Sequence, residues 1–266
     1  MKDHKKLTFP KTRIATFDIF ELGLRKHHVK ALLEFDVSHA RNLIKNYRSK
    51  TKSRLSFTGW LIKTISSTLE EYQNAHSYLK GKKSAIVFND IDISITVERE
   101  YDGRLVPLPY VIRRTNKKDC IEITEEIHRV KSQKVSKEDT VLGEKQSKIL
   151  NSLYYVFPGI IRRFFWRYIL SHPKLAKKTM GSVVLTSVGM MGNVHGWFIH
   201  TSVHPISFGV GSIIKKPRVI KDHIEVREIL NMTILIDHDV IDGAPMARFI
   251  SKLSKNIESG YGLTDK

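Results

Sequence analysis

Three Val/Ile-rich runs crowd the last third of the chain, at 182–188, 206–214 and 229–237, the first two bounded by glycines. Short apolar runs ending in turn residues read as strands, and strands of this kind need a covering layer of helices. Four stretches supply it. Residues 37–49 place Val37, Leu43, Ile44 and Tyr47 on one face behind Ser38 as N-cap, and 57–72 does the same with Trp60, Leu61, Ile65 and Leu69. A charged helix over 117–136 carries Ile121, Ile127 and Val130. The last, 244–258, repeats Phe249, Ile250, Leu253 and Ile257 at helical spacing, with Pro245 in its first turn and Gly260 as its stop. Further strands are expected at 27–36 and, as a pair around Asn89-Asp90, at 85–98. An Asp102-Gly103 turn leads to 105–112, which Pro107 and Pro109 confine to an edge or irregular strand. Strands and helices mix without a strict βαβα repeat. The expected fold class is therefore α/β (α+β), a mixed β-sheet packed with helices. Residues 1–26 read as an N-terminal arm draped over a single domain spanning 1–266.

Composition narrows the classes. The chain has 266 residues, 41% of them hydrophobic and 27% charged, which excludes a disordered chain and suits one sizeable core. Cys120 is the single cysteine, so no intramolecular disulfide or Cys-based metal cluster can form; no metal is expected, and the expected compartment is reducing and cytoplasmic. The start, MKDHKKLTFPKTR, lacks the apolar stretch of a secretory signal, and no apolar run is long enough to span a bilayer. The net charge of +18 favours anionic partners or a solvated lysine-rich surface, in equal measure. No zinc-finger, KH or P-loop signature accompanies it, so nucleic-acid binding is not expected.

The chemistry sits in Ile236-Asp237-His238-Asp239-Val240-Ile241-Asp242-Gly243. A strand ends on His238, whose ordinary pKa of about 6.5 suits proton transfer near neutral pH. Asp242 can fold back to fix the turn, and Gly243 lets the backbone bend before the helix. The plainer account is a surface histidine beside a helix-capping aspartate.

His238-x-x-x-Asp242-Gly243 resembles the signature of the chloramphenicol acetyltransferase-like superfamily. The fuller DHDVIDGAPMARF resembles the catalytic domain of the acyltransferase (E2) component of 2-oxo acid dehydrogenase complexes, down to Ala247-Arg248-Phe249 in the following helix. Upstream, Gly181 to Gly192 is similar to the family's glycine–strand–hydroxyl-residue segment and Pro205 to Ile213 to its Pro-x-x-x-x-Gly-Val-Gly strand. Val106-Pro107 with Ile112-Arg113, and His28-Val29 with Glu34-Phe35-Asp36-Val37, match further motifs in order, so the resemblance runs from about residue 13 to 260. Four departures stand out. Asp239 replaces the usual Arg, and His27 stands where the family has Pro. The stretch 143–180 is longer than the family's connection, and no lipoyl or peripheral subunit-binding domain precedes the domain.

The resemblance implies a two-layer chloramphenicol acetyltransferase-like fold and a homotrimer with interfacial active sites. It implies acyl transfer between a CoA thioester and a dihydrolipoyl-type thiol, with the lipoyl group on a separate protein. His238 is implied as general base, deprotonating a thiol that is unreactive when neutral. Thr186, from the neighbouring subunit, is implied as the oxyanion donor, with Ser187 the fallback on the opposite strand face. Asp242 is implied as a positioning residue paired with an N-terminal arginine, Arg13 or its rival Arg25. A carboxylate at 239 would raise the pKa of a histidine beside it. Lys215-Lys216 and Arg113-Arg114 are equal candidates for the CoA phosphates. The alternatives are a small-molecule O- or N-acetyltransferase of the chloramphenicol type and a non-catalytic trimeric scaffold.

One segment stands apart. Residues 153–170, LYYVFPGIIRRFFWRYIL, hold seven aromatics and the arginines Arg162, Arg163 and Arg167. The favoured expectation is that Phe157, Ile160, Phe164, Phe165 and Tyr168 pack on the core or line an acyl pocket. The rival is a shallow membrane-surface contact.

Overall fold

The computed structural model describes residues 4–5, 7–9, 13–51, 54–101, 104–133, 154–187 and 195–263. The helices are α1 (Arg13–Gly23), α2 (Ser38–Thr51), α3 (Phe57–Glu71), α4 (Cys120–Ser132), α5 (Gly159–Ser171), α6 (Pro173–Met180) and α7 (Gly243–Glu258). The strands are β1 (His28–Asp36), β2 (Tyr78–Lys80), β3 (Ser84–Ile86), β4 (Ile93–Tyr101), β5 (Arg104–Ile112), β6 (Val183–Ser187), β7 (Ile206–Ile220) and β8 (His223–Asp237). The main sheet runs β1-β8-β7-β6-β4-β5, and β2 and β3 form a separate hairpin. Only the β7–β6 and β6–β4 pairings are parallel, so the sheet is mixed, as the irregular order of elements predicts.

One face of the sheet meets the helices. Trp60, Ile65, Phe208, Ile234 and Phe249 are fully buried there, which is the heptad-like face of α3 and α7 closing on alternate residues of β7 and β8. The aromatic Phe249 stands edge-on to Tyr72 at 5.9 Å. α4 starts behind a capping box in which Asp119 accepts from Ile121 and Glu122 while the Glu122 carboxylate takes the Asp119 amide. β5 is an edge strand carrying Pro107 and Pro109, where a missing amide does little harm.

One expectation holds: the 85–98 segment contributes two strands, the end of β3 and the start of β4, on either side of Asn89-Asp90, while Ile91 and Asp92 stay out of strand pairing; Asp92 takes Lys177 at 2.7 Å and Arg113 at 3.1 Å, and its carbonyl takes the amides of Ser182 and Val183. Three expectations are corrected. β7 and β8 run well beyond 206–214 and 229–237, forming a hairpin whose tip, Lys221-Asp222, has both residues at positive φ (46° and 66°). Polar alternation hides that extension from a search for apolar runs: Val219, Ile224 and Val226 are exposed, and Glu34 anchors the arm through Lys216 and Arg218. The N-terminal arm is partly a helix, α1, which buries Ala15, Asp18 and Leu22. Finally, the expected packing of the 153–170 aromatics holds for Phe165, but Phe157, Ile160, Phe164 and Tyr168 are exposed. Among the described residues no helix is long and apolar enough to cross a membrane.

Candidate active site

β8 carries the site. Asp237 ends the strand opposite His28 and is fully buried, and the chain turns through His238-Asp239-Val240 before Asp242 takes the N-cap position of α7. The turn is tied down on three sides. The His238 amide donates to the His27 carbonyl at 3.0 Å, and Val240 N to the Asp237 carbonyl at 3.2 Å. The Asp237 carboxylate accepts Lys26 Nζ at 2.7 Å and the Asp239 amide at 3.3 Å. Held this way, the His238 side chain is exposed, and among the described residues it makes no hydrogen bond.

Asp239 and His27, the two departures from the resembled family in this region, face each other. His27 Nδ1 lies 2.9 Å from Asp239 Oδ1. The hydrogen bond and the charge of Asp239 raise the His27 pKa. The acid at 239 therefore acts on His27. Sequence reading noted both positions and missed the pairing, since residues 27 and 239 meet only through the β1–β8 register.

Asp242 adopts the extended N-cap conformation (φ −81°, ψ 168°), but its exposed carboxylate caps nothing; its carbonyl accepts Met246 N at 3.1 Å. Gly243 is the first residue of α7 and does not use the left-handed region. Arg13 stacks on the Phe9 and Phe17 rings at 4.2 and 5.8 Å, and Arg25 pairs with Glu21 at 3.2 Å. Among the described residues neither arginine meets Asp242 within one chain.

Thr186 and Ser187 lie on β6, on opposite faces. Ser187 shares its face with Leu185 and lines a cavity of about 250 Å³ with Arg41, Phe57, Leu61 and Val210 on the helix side of the sheet. Thr186 points to the other face, opposite Gly209 of β7, which in turn pairs with Thr233 of β8. From Thr233 to His238 is about 15 Å along the strand, and two strand spacings are about 10 Å. Thr186 and His238 of one chain are therefore about 18 Å apart and cannot act on one carbonyl. The second half of the Gly181–Gly192 motif, 188–194, lies outside the described residues, as does 143–153 of the long connection.

The Thr186 face also holds three histidines, His204 buried and His28 and His200 half-buried; sequence reading used His28 only as a motif match and did not single out the other two. His28 Nε2 donates to the His204 carbonyl at 2.9 Å, and His204 Nε2 to the Met180 carbonyl at 3.0 Å. His200 Nε2 meets Ser207 Oγ at 2.8 Å. Burial lowers the pKa of all three, that of His204 to about 4. They are neutral and structural, and Pro205 and its neighbours reach β7 through them. The one local sign in the sequence is the spacing of His200 and His204 just ahead of a strand.

Of the candidate phosphate ligands, Arg113 is engaged by Asp92 and by the carbonyls of Lys177 and Lys178, and Lys216 by Glu34. Among the described residues no cluster of three or more His, Cys, Asp or Glu is arranged to hold a metal.

The profile of the 2-oxoacid dehydrogenases acyltransferase (catalytic domain) family matches residues 3–142 and 173–263. The lipoamide acyltransferase component of the branched-chain alpha-keto acid dehydrogenase complex of Bacillus subtilis is 27% identical over 239 residues, 87% of this chain and 47% of that protein. The dihydrolipoyllysine-residue acetyltransferase component of the pyruvate dehydrogenase complex of Rickettsia felis is 24% identical over 81% of this chain and 43% of its own length. The chain thus spans about half the length of these curated relatives. Among solved structures, Azotobacter vinelandii dihydrolipoamide acetyltransferase superposes with a TM-score of 0.70 at 16% identity, covering 98% of this chain and 94% of that one. A chloramphenicol acetyltransferase superposes at 0.50 and 12%, covering 96% of each. These likenesses establish the two-layer fold.

Proposed function

The chain belongs to the 2-oxoacid dehydrogenase acyltransferase catalytic-domain family, and from that premise we propose that it moves an acyl group between a CoA thioester and a dihydrolipoyl-type thiol. Residues 1–266 act as a catalytic domain in a cytoplasmic homotrimer, on a lipoyl group carried outside these residues. The observation that carries this reading is the separation of His238 from Thr186. Each residue type suits half of an acyl-transfer site, and within one chain they are too far apart to cooperate. A neighbouring copy is the simplest source of the missing half.

In the proposed reaction the His238 imidazole takes the proton from the acceptor thiol. The thiolate attacks the thioester carbonyl, and the oxygen of the tetrahedral adduct accepts a hydrogen bond from Thr186 of the neighbouring copy. The adduct collapses by breaking the bond to the leaving sulfur, which regains the proton from His238. No acyl-enzyme is required. Lys26, Asp237 and the His27 carbonyl hold the turn that presents His238; Asp242 sits four residues on, where α7 begins.

Two measurements test this. Thiol release from a panel of acyl-CoAs should depend on dihydrolipoamide and fall at least about 100-fold in His238→Ala. Chloramphenicol in the same panel reads out the small-molecule alternative. Co-assembly of His238→Ala chains with Thr186→Ala chains should restore part of the activity that each lacks alone, because a mixed trimer contains intact interfaces. Folded trimers that show no turnover with any pair would favour the scaffold reading, and absence of complementation would overturn the pairing of His238 with Thr186 of a neighbouring copy.

A further inference from the structure

Helix α5 presents apolar residues on both sides. Its inner side is fixed: Trp166 and Ile169 are buried, Arg162 Nε binds Asp18 of α1 at 2.7 Å, and Trp166 Nε1 donates to Tyr154 Oη at 2.9 Å. Its outer side should then be polar, and it is not. Ile160, Phe164 and Tyr168, each four residues from the last, are 75%, 69% and 51% exposed, with Val156 and Phe157 exposed at the same end as Ile160. Residues four apart share one helix face, so this is a continuous stripe. Helix α1 lies alongside, joined by Arg163 and Glu21 at 3.4 Å, and its own Phe17 and Phe20, with Leu24 just past its end, are exposed. A patch of this kind marks an interaction surface.

Charge selects the occupant. Residues 154–180 contain six basic side chains and no Asp or Glu. Arg162, Arg163 and Lys177 are matched by Asp18, Glu21 and Asp92. Arg167, Lys174 and Lys178 are exposed and have no acidic partner among the described residues. Two copies meeting symmetrically through this face would set these cations against each other. The family profile also passes over 143–172, the stretch that contains all of α5, so this helix is not part of what the family profile matches.

We propose that the exposed face of α5, with the adjoining face of α1, docks the protein on an anionic phospholipid bilayer surface. The stripe beds at the headgroup boundary while Arg167, Lys174 and Lys178 contact lipid phosphates. The helix lies in the plane of the interface without crossing it. This role is independent of the acyl-transfer reading.

The test is flotation of the full chain with vesicles of equal parts phosphatidylglycerol and phosphatidylcholine, against pure phosphatidylcholine. Wild type should float with the anionic vesicles and stay behind with the neutral ones, and half-molar salt should release most of it. Combined Arg167→Glu and Lys174→Glu should cut partitioning by roughly tenfold or more, and combined Ile160→Glu and Phe164→Glu should abolish it. Phe164→Trp keeps an aromatic at the same place and should give emission quenched by brominated anionic lipid beyond the wild-type background. The proposal is overturned if wild type does not float, if the charge or stripe variants float like wild type, or if Phe164→Trp adds no quenchable emission. A stripe variant that lowers the molar mass in light scattering, from a wild type that ignores vesicles, would make the face a self-interface.

Discussion

Replacing Lys26 with Met should unfasten the turn that presents His238. Lys26 Nζ lies 2.7 Å from Asp237 Oδ2, and the two side chains are 21% and 1% exposed. At that distance and an effective dielectric of about 20, the direct attraction is about 6 kcal/mol. Dehydration of the two groups offsets part of it. The substitution leaves a buried carboxylate whose one remaining hydrogen bond among the described residues is from the Asp239 amide at 3.3 Å. Removing one member of a buried pair costs roughly 3–5 kcal/mol, and the partial exposure of Lys26 places this pair near 3. For a chain of this size that lowers the melting temperature by roughly 6–12 °C. Asp237 adjoins His238, so kcat should fall roughly tenfold or more as the imidazole loses its position, while Lys26→Arg retains most of both properties. Urea denaturation at fixed protein concentration and acceptor-dependent thiol release measure the two effects. A stability change under about 1 kcal/mol with unaltered kcat would refute the claim that this pair holds the turn.

Thr186→Ala should lower kcat by about 100- to 1000-fold with little change in KM, and Thr186→Ser should retain most activity, because only the hydroxyl is used; Ser187→Ala, on the helix side of the sheet, should have a much smaller effect. His76 and His204 are held neutral by burial, each with its pKa lowered to about 4 from 6.5. Their unfolded forms take up protons first, so stability should be full above about pH 6.5 and decline as pH falls toward about 4, by roughly 3 kcal/mol per histidine at the limit; denaturant midpoints across that range measure it. His27 behaves oppositely: its pKa is raised by Asp239, so its contribution is present below about pH 6.5 and fades as pH rises through the folded value, and NMR titration of wild type against Asp239→Asn should show the His27 pKa falling. Gly209→Ala would bring a methyl within 2.8 Å of His200 Nδ1 and 3.1 Å of the Phe198 carbonyl, and should destabilise by about 1–3 kcal/mol in thermal melts.

Much of the layout is written locally. The period of two in Ile93, Ile95 and Val97, the helical spacing of Phe249, Leu253 and Ile257, and the two prolines of β5 each report burial on one side, and burial decides where these elements lie. The His238 turn was legible for the same reason: a buried strand must end somewhere, and His-Asp at its end is conspicuous. Sequence alone could not show which groups meet across the sheet. His27 and Asp239, Lys26 and Asp237, and Arg162 and Asp18 are paired by strand register and helix packing between residues more than 140 positions apart. The exposed stripe of α5 was hidden by a related ambiguity, since an aromatic-rich helix has the same composition whether its rings face a core or a bilayer. Local sequence therefore determined the elements, their order and the turn at the end of β8. Only tertiary structure decided which charges pair, which aromatics stay outside, and that Thr186 and His238 of one chain stand about two strands and five residues apart, because register and packing are properties of distant segments acting together.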